Sequence, residues 1–237
     1  MKLTLFILIL STLNGSSVFF ELDDIGMIEL PSDWEQIPNK IVQEGNELLG
    51  GDIDYAFQPK NCGYWFQCDT YLGVDIQSNF GKIPKNEILK FSKNLKIFED
   101  DSEVNETLDK IDRTLGTNSS IDVQYSFLNE TKMIMYSIQQ MSMGLYDMKI
   151  FAATHFTKNG YVSLMGSTEI KNNKINNEYD FNFYKGLSDK LLINQNHKYN
   201  NYKKTSSKGS WQESLAKGFA LALAFAIIRF IQNLFNK

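Results

Sequence analysis

Polar and apolar positions alternate across IDVQYSF, where Ile121, Val123, Tyr125 and Phe127 share one side. A period of two marks a half-buried strand. The chain then turns through Asn129-Glu130-Thr131 into KMIMYSIQQM, a second strand. MKIFAATHFT and YVSLMGSTEI, joined by Lys158-Asn159-Gly160, form a further hairpin. A two-residue Asn-Gly turn would set Phe156 opposite Ser163 and Thr154 opposite Met165. A three-residue loop with Gly160 at positive φ instead pairs Phe156 with Val162, Thr154 with Leu164, Ala152 with Gly166 and Met148 with Ile170. Only the second leaves one apolar face, so the pattern predicts that register. It also turns His155 to the other face, opposite Ser163.

Elsewhere the period changes. Pro84 opens a helix in which Ile88, Phe91, Leu95 and Phe98 recur at helical spacing. FNFYKGLSDKLLI reads as a closing helix, with Tyr184, Leu187 and Leu191 on one side. Asp54 to Pro59 and Tyr71 to Gln77 read as short strands, and GMIELPSDW is an apolar run stopped by Pro31 with Trp34 following. EDDSEVNET and KNNKINNEYD are polar breaks, and Asn194 to Ser210 is a polar, basic tether.

The two ends differ from this alternating middle. Lys2, an apolar run from Leu3 to Leu13 and then Gly15-Ser16-Ser17 have the layout of a secretory leader over residues 1–17. Its apolar part spans about 16 Å as a helix, too short to cross a bilayer. At the other end, Leu215 to Phe235 is apolar all round and about 31 Å long as a helix, matching hydrocarbon thickness. Residues 213–235 are therefore expected to be a transmembrane helix, with Trp211 just upstream as an interfacial aromatic and Arg229 reaching the far headgroups. An interfacial helix and a core helix are the alternatives. Lys203, Lys204, Lys208 and Lys217 on the upstream side argue for a cytoplasmic domain, against the leader. The leader takes precedence, because large domains translocate largely regardless of such charges.

Composition narrows the chemistry. A net charge of −4 and a pI near 5.3 leave no basic footprint for nucleic acid. Both cysteines lie in NCGYWFQCDT, as Cys62 and Cys68. Their spacing is not Cys-x-x-Cys, and the two histidines, His155 and His197, offer no zinc-ligand spacing to them. In an oxidising compartment a structural disulfide is expected, with free thiols as the alternative. Tyr64, Trp65 and Phe66, held in that loop, are candidate partner contacts, although they fit a core equally well. Glu99, Asp100, Asp101, Glu103 and Glu106 lack the ligand pattern of a calcium loop. His155 beside Ser163 has neither a nucleophile elbow nor an orienting acid, so no catalytic residue, metal or cofactor is assigned.

One resemblance adds to this. The opening Leu30-Pro31-Ser32-Asp33-Trp34, followed by strands, a helix, two hairpins and a closing helix, resembles the PsbP/DcrB-type family, as does Asn159-Gly160-Tyr161-Val162-Ser163-Leu164. The resemblance covers residues 25–195. It implies an α+β fold, an antiparallel sheet between helices (an α/β/α sandwich), and a non-catalytic interaction or assembly module. The tether (196–212), the C-terminal span and the Cys62–Cys68 pair depart from it. The expectation is an exported, membrane-anchored module with a protein partner. The rival expectations are a hydrolase using His155 and a secreted protein whose last helix enters a target membrane.

Overall fold

The structure is a computed structural model, and it describes residues 17–49, 52–62, 68, 70–94, 105, 108–109, 112–113, 118–143, 146–171, 174–175, 179–200, 211–212 and 214–215. Its elements in chain order begin with β1 (Ser17–Leu22), β2 (Gly26–Pro31), β3 (Trp34–Gln36), α1 (Asn39–Leu49) and β4 (Tyr55–Pro59). After a 3₁₀ turn (Lys60–Cys62) come β5 (Thr70–Gln77), α2 (Lys85–Ser92), β6 (Ser119–Asn129), β7 (Ile134–Met143), β8 (Tyr146–Phe156) and β9 (Tyr161–Lys171). The short β10 (Lys174–Ile175), α3 (Phe181–Asp189), β11 (Leu191–Ile193) and a 3₁₀ turn (Gln195–His197) follow.

An eight-stranded sheet runs β3-β4-β5-β9-β8-β7-β6, with β10 paired to β9, and a three-stranded sheet runs β1-β2-β11. The pairings are antiparallel throughout. Both faces of the large sheet are covered. On one, Ile150, Ala152 and Met165 pack with Val42 of α1, Ile88 and Phe91 of α2, and Trp211 and Leu215. On the other, Phe151, Ala153 and Leu164 pack with Leu22, Ile28 and Leu30 of the small sheet and Tyr184 and Leu187 of α3. The fold is thus mixed α+β with antiparallel sheets, one outer layer being helical and the other part helix, part sheet.

Local chemistry accounts for the elements. Pro84 caps α2 as expected, its carbonyl accepting from Glu87 and Ile88 at 3.1 Å. Asp180 caps α3, its carboxylate accepting the Phe183 N–H at 3.0 Å. Asn46 ties α1 to the strand layer through paired hydrogen bonds with the Ile53 backbone, at 2.8 and 3.2 Å. Gly166 is required by close approach, because a Cβ there would lie 1.9 Å from the Tyr184 ring.

Four expectations are corrected. The β8–β9 loop has four residues, so Phe156 faces Tyr161, Thr154 faces Ser163 and His155 faces Val162. The register criterion assumed one solvated face, and burial on both sides removes that discrimination. Gly160 is not at positive φ but lies against the Gln77 carbonyl, where a Cβ would sit 1.8 Å away. In β6 a bulge between Val123 and Tyr125 reverses the alternation, so Val123 is buried while Tyr125 and Phe127 are 47% and 50% exposed. The closing helix stops at Asp189, and Leu191–Ile193 instead pairs with β2.

The expected tether is also docked at both ends. Lys198 bridges to Thr157, and the Tyr199 hydroxyl donates to the Ile83 carbonyl at 3.0 Å. Trp211 is 2% exposed, against Phe91 at 4.9 Å and Phe156 at 5.7 Å between ring centroids. It is a core residue, not an interfacial one. Among the described residues no helix is long and apolar enough to cross a membrane. The expected leader up to Ser16, and all of the expected span beyond Leu215, lie outside the described residues.

Candidate functional site

A cleft of about 530 Å³ opens where the β6–β7 turn, the start of α2 and the segment after β11 meet. The turn is shaped by Asn129, whose side-chain oxygen accepts from the Thr131 and Lys132 N–H groups at 3.2 and 3.1 Å. This aims Lys132 at the cleft. The turn ends at Met133, held at a φ of 54° with its side chain buried and its carbonyl accepting from Phe156 at 3.0 Å. A bulky residue with positive φ is strained, and such residues cluster at functional sites.

Met133, Phe156, Leu191 and Ile193 supply apolar lining, and Lys85, Lys132 and Lys198 supply cations. Lys85 pairs with Glu130 at 2.9 Å. Lys132 and Lys185 both reach Asp189, each at 2.8 Å. Hydrogen bonds from these two lysines hold the Asp189 carboxyl below its usual pKa. Among the described residues Lys198 meets no acidic side chain.

His155 lines the same cleft. It is 6% exposed, and its Nε2 lies 2.7 Å from the Ser188 hydroxyl of α3. Burial pushes its pKa down to about 4, so the ring is neutral near pH 7. The sequence set His155 beside Ser163. Ser163 instead lies on the opposite sheet face, beside Thr154 at 3.2 Å. Ser188, His155's actual partner, gave no signal in the sequence. It is fully buried, and a histidine with so low a pKa is mostly unable to take a proton from it. His197 is half-buried and lies 3.5 Å from Asp24.

A second buried titratable group, Asp75, was not singled out by sequence. It lies on the helix-covered face at β5, accepting from the Gln77 amide at 2.9 Å, and burial pushes its pKa up to about 8. Among the described residues its other oxygen has no hydrogen-bond partner.

Cys62 and Cys68 are joined as a disulfide, with Cα atoms 5.0 Å apart, across the connection from β4 to β5. The candidate contacts Tyr64, Trp65 and Phe66 lie outside the described residues, as do Glu99, Asp100, Asp101, Glu103 and Glu106 of the acidic break.

No family model matches the chain, and no curated protein matches it. Among solved structures it is similar to the solution structure of cyanobacterial PsbP (CyanoP) from Synechocystis sp. PCC 6803. Sequence identity is 9%, the TM-score is 0.46, and the match covers 76% of this chain and 94% of that one. The resemblance to that structure is loose.

Proposed function

We propose that this chain is a non-catalytic binding module, exported and held to a membrane by its C-terminal segment. The observation that carries this reading is the state of His155. In the lining of the cleft it is neutral, buried and tied to a buried serine, so it serves as a wall, not as a proton carrier. A cleft with strained and charged edges around an apolar lining is suited to binding.

The anchor reading rests on the apolar pattern of the last residues. Because Leu215 belongs to the core, we place the anchor after it, at 218–235, about 27 Å of helix. The domain would then stand directly on the membrane surface. Tyr64, Trp65 and Phe66 remain the proposed protein-contact residues.

Fractionation tests the anchor: the protein should stay with membranes through high-salt and carbonate washes. A protease added to intact cells should digest the domain. Release by carbonate, appearance in the medium, or protection until lysis would defeat the reading. A photo-crosslinker at position 65 should trap a protein partner, and its silence would remove that trio from the interface.

A further inference from the structure

We propose that the cleft beneath the β6–β7 turn binds a small organic carboxylate carrying a short apolar tail; this rests on reading the cleft as a binding site. Lys85, Lys132 and Lys198 line it, against one lining carboxylate among the described residues, Glu130, while Asp189 engages Lys132 from beyond the lining. The cations come from three separate places: α2, the β6–β7 turn and the segment after β11. The fold therefore gathers an excess of positive charge at one point, on a chain whose net charge is −4. Glu130 is engaged by Lys85, and Asp189 by two lysines, which leaves the Lys198 ammonium to meet an incoming anion.

The same lining carries apolar side chains among its polar ones. The half-buried Ile193 and the edges of Met133, Phe156 and Leu191 give the cleft its apolar surface, and His155 adds a neutral ring face. A head group that remained at the rim would keep its charge beside ammonium groups, while its tail displaced water from apolar walls. A doubly charged or fully polar ligand would leave those walls unmatched, and a neutral hydrocarbon would leave the rim unused. The volume of about 530 Å³ falls at the lower end of small-ligand sites. Each methylene that enters should strengthen binding about fourfold, until the tail reaches the floor.

The experiment titrates full-length protein in lipid nanodiscs with hexanoate and hexanamide by calorimetry, with empty nanodiscs as the blank. Butyrate and hexanoate are compared for the tail. Hexanoate should bind at least tenfold more tightly than hexanamide, and tenfold or more above butyrate. Lys198→Ala should weaken hexanoate about fivefold with an unchanged melting temperature, whereas Lys198→Arg should restore most of it. Equal affinity for hexanoate and hexanamide would overturn the carboxylate assignment while leaving the cleft a binding site. Saturable heat from none of the three ligands, with the protein folded, would overturn the binding-site reading as well. Undiminished binding by folded Lys198→Ala would overturn the role given to that lysine.

Discussion

Trp211→Ala tests whether the segment just before the C-terminal apolar stretch belongs to the domain. The indole is 2% exposed and meets the Phe91 ring at 4.9 Å and the Phe156 ring at 5.7 Å, both edge-on. A tryptophan buries up to about 250 Å², which at about 25 cal/mol per Å² gives an upper figure near 6 kcal/mol. Realistic unfolded chains already bury part of that area, and measured truncations of this kind cost about 3–5 kcal/mol. For a domain of this size, about 2–4 °C accompanies each kcal/mol, so the melting temperature should fall by roughly 6–20 °C. Trp211→Phe keeps an edge-on partner for both rings and should lose less than half as much. Circular dichroism melts of full-length protein in nanodiscs measure both variants. A fall of under 2 °C for Trp211→Ala would show the residue in solvent or at a membrane interface, and the docked segment would be wrong.

Two glycines should respond with opposite sign. Gly166→Ala drives a Cβ into the buried Tyr184 ring and should lower stability by about 2–3 kcal/mol, while Gly186→Ala, on exposed helix with nothing within 4 Å, should raise it by about 0.5–1 kcal/mol; urea melts read both. Asp75 has its folded pKa raised to about 8, so it favours the folded state at low pH and loses that stability as pH rises toward 8. His155, lowered to about 4, acts oppositely: its stability is intact above pH 6.5 and falls as the unfolded chain protonates below that. The two largely oppose each other between pH 4 and 6.5, and the Asp75 decline stands alone from about pH 6.5 to 8. Stability measured across that upper window should fall for the parent and stay flat for Asp75→Asn; equal slopes would contradict the burial of a protonated carboxyl. Replacing Cys62 and Cys68 together with serine opens a short loop and should lower stability by about 2 kcal/mol, seen in the same urea melts.

Much of the framework was legible because it depends on local periodicity. The paired strands flanking the cysteines, the Pro84-capped helix and the buried Tyr184 and Leu187 follow from spacing alone. What escaped depends on contacts distant in sequence. The bulge in β6 adds one residue that no alternation pattern can announce. Gly160 matters because of Gln77, more than eighty positions earlier, not because of its own φ. Helix α1 was missed because few apolar residues mark it, among them Ile41 and Val42, and β1 because it directly follows the leader-like run. The cleft was illegible for the same reason. Lys85, Lys132 and Lys198 read as ordinary surface charges until the fold brings them to one rim.

The displaced residue in β6 also governs how the molecule meets its own copies. β6 ends the large sheet among the described residues, is eleven residues long, and shows two exposed aromatics on one face. A straight strand with that profile would template the addition of further chains, the first step toward fibrils. With the ladder interrupted at its middle, an incoming strand can match one half or the other, never both. A single irregularity thereby keeps a sticky margin from becoming a seed.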